Sequence, residues 1–183
     1  MLARNLALTA ALVILTLTGC STAVSPQSSS ALDELGELTL VESKAPTQLL
    51  RNEAAARVPT IVVQDVAETT DGSEACLDSG DDPEGLARQW TSTATFLVTN
   101  SQAARVATVT SDVAATFTEQ GWAAEPDGAV TTLTSETSGV VIHLEAVAKD
   151  SGEHAEIRIT ATGQCVRTAG PESDEVLELE HAS

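Results

Sequence analysis

The residues best equipped for chemistry in this 183-residue chain are three cysteines and three histidines. The thiols are Cys20, Cys76 and Cys165, and the imidazoles are His143, His154 and His181. A cysteine can act as a nucleophile, accept an acyl group or form half of a disulfide, and its surroundings decide which. Cys20 follows an uncharged apolar run and opens a Ser-rich stretch. Cys76 stands in an acidic, turn-rich segment, and Cys165 lies just past a β-branched one. No two cysteines are spaced C-x-x-C, so a thioredoxin-like role has no support.

His143 and His154 fall in neighbouring segments of alternating polarity, each on the polar face, where adjacent strands bring them toward one another. Glu145 and Glu156 lie two residues away on the same faces, and two imidazoles joined by a carboxylate make a zinc-type ligand set. Two solvated strand histidines account for the same pattern without a metal, and that is the preferred reading. Segment 78–84, DSGDDPE, offers four carboxylates in seven residues, the oxygen-rich chemistry of a weak extracellular calcium site. Its spacing departs from the EF-hand loop, and a solvated turn is preferred. The chain holds no GxSxG elbow, GxxxxGKS loop, GxGxxG fingerprint or HExxH pair. Paired carboxylates for glycoside hydrolysis stay open on sequence alone. The expectation is a protein that is not an enzyme, with no catalytic, cofactor-binding or metal-ligating residues.

The N-terminus carries the clearest signal. Arg4 precedes an uncharged apolar stretch, 6–17, far shorter than the roughly 20 residues a membrane-crossing helix needs but suited to the core of a secretory signal. Leu17-Thr18-Gly19-Cys20 follows. This tetrapeptide resembles the lipobox of bacterial lipoproteins. The resemblance implies a diacylglyceryl group on the Cys20 thiol and cleavage before Cys20 by signal peptidase II, with the freed amine a further acylation point. It covers residues 1–20 only; beyond them the chain resembles no characterised family, only small exported lipoproteins of no assigned activity. A single acyl chain binds a bilayer reversibly, at about 0.8 kcal/mol per buried methylene, so a stable anchor takes two. The location implied is the cell membrane, on its extracytoplasmic face. With Cys20 acylated, Cys76 and Cys165 remain as an even pair in an oxidising compartment, which reads as a disulfide; two free thiols are the alternative. Closing so long a loop is worth roughly 4–5 kcal/mol on the chain-entropy model.

Charge excludes whole classes of partner. The chain holds 27 acidic against nine basic residues, a formal charge of −18, and only Arg4 of all these lies ahead of Cys20. Nucleic-acid affinity comes largely from Lys and Arg neutralising phosphates, so no nucleic-acid partner is expected. The same charge holds the domain off the anionic membrane to which it is tethered. Aromatics are limited to Trp90, Trp122, Phe96 and Phe117, a poor supply for stacking sugars or bases.

The elements that position these residues read as one domain. Residues 1–19 are the leader, 20–42 a lipidated, Ser/Pro-rich tether, 43–168 the domain and 169–183 an acidic tail. Pro46 suits the first turn of a helix that continues over 47–57 and stops at Pro59. A short β-branched strand follows over 60–66, then a long acidic loop, 67–85, which a disulfide at Cys76 would tie down. In 88–98 Trp90, Ser92, Ala94, Phe96 and Val98 share one face of a strand. Val106, Val109, Val113 and Phe117 mark one side of a helix that ends at Gly121. Strands over 129–134, 140–148 and 154–162 are separated by Gly-containing turns. In the tail, Val176, Leu177 and Leu179 are the only apolar cluster, enough for a short helix within an otherwise solvated segment. The order α-β-β-α-β-β-β predicts an α+β two-layer sandwich, with a mainly antiparallel sheet of about five strands and two helices on one face. The functional expectation is a membrane-anchored, surface-exposed lipoprotein that binds another envelope protein or a small ligand. The alternatives are a weak calcium- or metal-binding module, or an envelope enzyme of a type its motifs do not reveal.

Overall fold

A computed structural model describes residues 31–148 and 155–182. The leader, Cys20 and His154 lie outside the described residues.

Helix α1 (Leu40–Ala56) begins with a capping box: the Thr39 side chain accepts from the Glu42 N–H, and Glu42 accepts in return from the Thr39 N–H. These reciprocal bonds satisfy two donors left over at any helix start, and they begin the helix well ahead of Pro46. The tether therefore ends sooner than expected, because Leu40, its first helical residue, is fully buried. Pro46 sits inside the helix. Near its middle α1 presses on the sheet end, where a Cβ on Gly163 would stand 2.3 Å from Ser43 Oγ and 2.5 Å from Thr47 Oγ1.

Strand β1 (Val63–Ala75) pairs antiparallel with β2 (Ala87–Val98) along nearly its whole length. The loop expected over 67–85 is thus shortened by strand to its second half. The reason is position: β1 is the sheet's outer strand, exposed on both sides over 64–70, so it carries no apolar alternation. Two register shifts, at Val63/Asp65 and Val66/Glu68, break the regularity of this edge, a device that discourages further strand pairing.

Helix α2 (Val106–Thr118) buries Val106, Val109, Val113 and Phe117, as its spacing predicts. It ends in a Schellman turn: Gly121 adopts φ 90°, its N–H donates to Thr118 O, and the Trp122 N–H donates to Phe117 O. The accompanying apolar contact is the Phe117–Trp122 edge-to-face pair at 5.3 Å, the partnership this motif favours.

A meander follows through β3 (Ala123–Asp127), β4 (Val130–Thr134), β5 (Val141–Val147) and β6 (Glu156–Thr162), and β6 returns to pair with β2. β3 escaped the sequence reading because AAEPD is a poor strand former; Pro126 is tolerated because β3 is the other outer strand. The two-residue strand β7 (Val166–Arg167) pairs with the start of β2. The sheet has seven strands, ordered β1-β2-β6-β5-β4-β3 with β7 beside β2. A third helix, α3 (Asp174–His181), occupies the tail and buries Val176 completely. The molecule is α+β with an antiparallel sheet, as expected, but the described residues hold seven strands and three α-helices rather than five and two.

Burial alternates residue by residue in β5 and β6, with Ile142, Leu144, Ala146, Ile157, Ile159 and Ala161 inward. They pack with Ala54 of α1 and with the apolar side of α2 in one continuous core. A smaller, separate cluster joins Leu40, Trp90, Val166 and Val176. Arg57 ties the two helices together by donating to Glu53 and Thr116 and lies over the Phe117 ring at 4.3 Å.

Position in this layering sets the cost of a truncation. Ile159→Ala, which opens a cavity under both helices, is expected to cost about 2–5 kcal/mol. Thr134→Ala, on the exposed side of β4, should stay within about 0.5 kcal/mol. Urea denaturation of the two variants measures both.

Candidate functional site

Cys76 and Cys165 are bonded to each other, with Cα atoms 5.9 Å apart across 89 residues of sequence. Cys76 ends the hairpin formed by β1, where its N–H donates to Ala87 O; Cys165 immediately precedes β7. The crosslink fastens the outer strand to the chain leaving β6.

The acidic turn beside it is organised from within. The N–H groups of Asp81 and Asp82 both donate to Asp78 O at 2.9 Å. Asp82 is 4 % exposed and its carboxylate accepts the Ala87 N–H at 2.6 Å. Burial works to raise its pKa. The N–H groups of Ala87, Leu86 and Gly85, with the Arg88 charge, outweigh that and hold the carboxyl below its ordinary value. Asp82 therefore serves the turn, directed inward rather than toward a solvent cation. Among the described residues no three His, Cys, Asp or Glu side chains converge on a point where a metal would sit.

The face of the sheet away from α1 and α2 forms a regular polar surface. Strand pairing sets Thr93, Thr160, His143, Thr132 and Glu125 in one row across five strands. Thr91, Thr162, Val141 and Thr134 form the row on one side. Thr95, Arg158, Glu145 and Val130 form the row on the other. Hydroxyls meet across β2 and β6, with Thr93 Oγ1 and Thr160 Oγ1 at 3.1 Å. His143 Nδ1 lies 3.1 Å from Thr132 Oγ1. The residue opposite His143 on β6 is Thr160; the expected approach of His154 lies outside the described residues. Glu145 and Glu156 are both drawn to Arg158, at 2.8 and 3.5 Å. His181 sits apart in α3, its Nδ1 2.6 Å from Leu177 O. The Thr132–His143 contact joins a hydroxyl to an imidazole. A working nucleophile needs in addition a group orienting the base and donors for the developing oxyanion. No carboxylate bonds the ring's other nitrogen among the described residues. What the surface offers is hydrogen bonding over a broad area, with the carboxylates of Glu68, Glu125 and Asp127 at its margins.

A third region, around Trp90, was missed from sequence. Trp90 is fully buried, with Lys44 Nζ 4.4 Å from its ring centre. Its Nε1 donates to Asp71 at 3.4 Å, and Asp71 also pairs with Arg51 of α1 at 3.3 Å. Helix α3 closes over this cluster. Lys44 donates to Leu179 O at 2.7 Å, and Glu180 accepts from the Ser73 hydroxyl and N–H at 2.7 and 3.2 Å. Ser173 followed by Asp174, Glu175 and the Val176–Leu179 pair was the helix signal in the sequence. Beside the start of α3, Glu84, Glu172 and Asp174 contribute to the lining of a depression of about 660 Å³.

Asp82→Asn tests the turn. A carboxyl whose folded pKa is lowered adds stability above its unfolded pKa, near 3.9, and loses it as pH falls through the folded value. The variant should melt below wild type at pH 7, and the gap should close progressively below about pH 4, as read by thermal denaturation across pH. Comparison of the chain with protein-family models, with curated proteins and with solved structures finds no match.

Proposed function

We propose that this protein is a bacterial lipoprotein, anchored through Cys20 to the extracytoplasmic face of the cell membrane, and that its domain is a non-enzymatic interaction module. The observation that carries the proposal is the pairing of Cys76 with Cys165. A disulfide fits an oxidising compartment, and this one leaves Cys20, directly after Leu17-Thr18-Gly19, as the one cysteine without a sulfur partner in the chain. A tether of Ser and Pro residues then separates the lipid from the first described element at Ala31–Glu34. Among the described residues no helix is long and apolar enough to cross a membrane, so a lipid is the attachment that the sequence supports.

The open sheet face is the surface we assign to contact. It is broad, built on rigid strands, and lined by threonine hydroxyls and His143 rather than by a concave apolar pocket of the kind small ligands fill. Its margins are acidic while Arg158, its one cation among the described residues, is held by two glutamates. Charge complementarity therefore favours an envelope protein presenting basic side chains. A calcium-binding role finds less support, since the best carboxylate of the 78–84 turn is committed to a backbone N–H.

Two measurements test this reading. Wild-type protein should fractionate with membranes and be digested by protease added to spheroplasts, whereas Cys20→Ala should appear in the soluble exported fraction. A photo-crosslinking residue at Thr134 should capture a partner in intact cells, and one at Asn52 on the outer side of α1 should not. Soluble wild-type protein would refute the anchor; capture only from Asn52 would refute the face.

A further inference from the structure

We propose that the Cys76–Cys165 disulfide is a reducible latch, and that its reduction releases β7 and α3 from Trp90 while the main core stays folded. The buried apolar residues form two separate clusters. One lies between α1, α2 and strands β2, β4, β5 and β6. The other comprises Leu40, Trp90, Val166 and Val176, with Leu38 and Leu179 packed against it. Both ends of the crosslink belong to the second region: Cys165 adjoins Val166, and Cys76 ends the segment that carries Ser73.

The parts covering Trp90 hold weakly on their own. β7 makes only two register pairs, Ala87 with Arg167 and Arg88 with Val166, and is extended by the Thr168 N–H donating to Leu86 O. α3 has eight residues, below the roughly 12–15 at which isolated helices persist in water. It carries Asp174, Glu175, Glu178 and Glu180 with no Lys or Arg, and buries one side chain fully, Val176. Its polar attachments are to Lys44 of α1, which donates to Leu179 O, and to Ser73, three residues before Cys76, through Glu180. Ser73 is itself steadied by Arg88, whose Nε donates to its hydroxyl at 2.9 Å and whose guanidinium donates to its carbonyl at 2.7 Å. The disulfide thus fixes the floor on which α3 rests, at Ser73 on one side and Val166 on the other. Short segments with few buried contacts occupy the low end of a protein's local stability range.

The reductant is a dithiol of the thioredoxin class. Its thiolate attacks one cysteine sulfur, the Cys76–Cys165 bond breaks, and a mixed disulfide forms as the other cysteine leaves and takes up a proton. The second thiol of the reductant then attacks the mixed disulfide. Two electrons and two protons pass to the protein, which ends with two thiols while the reductant ends as a disulfide. Both cysteines are half-buried rather than enclosed, which leaves the bond open to attack. The released state exposes Trp90 and Leu40, an apolar surface that β7 and α3 cover in the oxidised protein.

Hydrogen exchange read by mass spectrometry on the full chain, oxidised and after treatment with excess dithiothreitol, tests this directly. Acrylamide quenching of Trp90 in a Trp122→Phe background gives a second readout. Reduction should speed exchange over 166–182 by about tenfold or more, leave α2 and β5–β6 protected, and make Trp90 quenchable, all reversed on reoxidation. Val176→Asp in the oxidised protein should produce the same local pattern without touching sulfur. Unchanged exchange on reduction would overturn the latch. Loss of protection in both regions together would overturn it as well, making the bond a staple of the whole domain.

Discussion

The bond between Cys76 and Cys165 constrains more of this protein than any other single contact. Its closed loop spans 89 positions and contains β2, α2 and β3 through β6, so most of the sheet is threaded between the two sulfurs. By restricting the unfolded chain such a loop contributes roughly 4–5 kcal/mol on an entropic account, against the 5–15 kcal/mol typical of a domain, so the continuous core under α1 and α2 still holds the fold when the bond is open. The same bond bears on location, since it suits an exported protein and leaves Cys20 for another purpose.

The second organising constraint is burial on one face only. α1 and α2 both cover the side of the sheet that presents Ile142, Leu144, Ile157 and Ile159, and the intervening positions must live with water. Threonine suits both demands there: its branched Cβ fits the pleated backbone, and its hydroxyl can pair across strands, as between Thr93 and Thr160. The rows of threonine around His143 therefore have a sufficient structural cause. What makes them a candidate for recognition is their extent across five strands, combined with carboxylates at the margins and a lack of any covering element among the described residues.

Much of this was legible before the structure. α2 announced itself through Val106, Val109, Val113 and Phe117, and Gly121 marked its end. β5 and β6 showed clean alternation because each has one buried and one wet face. The disulfide followed from counting thiols. The failures share a cause, which is that pattern reading sees only faces buried in the usual way. β1 lies at the sheet edge with no apolar alternation, so TTDGSE looked like loop. β3 and β7 are short and lie outside the densest packing. α1 started early because the signal was the Thr39–Glu42 capping box, which Pro46 overshadowed. α3 looked solvated because its acids outnumber its apolar residues, yet Val176 alone is fully buried. At the site, the two-residue period placed His143 correctly on the polar face, but register, which no local pattern carries, decided that its neighbour on β6 is Thr160.

The account rests on the fate of three sulfurs, and mass spectrometry of the protein isolated from membranes without reduction reads all three at once. The predicted result is an N-terminal peptide beginning at Cys20 with a thioether-linked diacylglyceryl group, together with a single crosslinked peptide joining Cys76 to Cys165. An unmodified Cys20, or Cys20 found in a disulfide with either of the others, would contradict it.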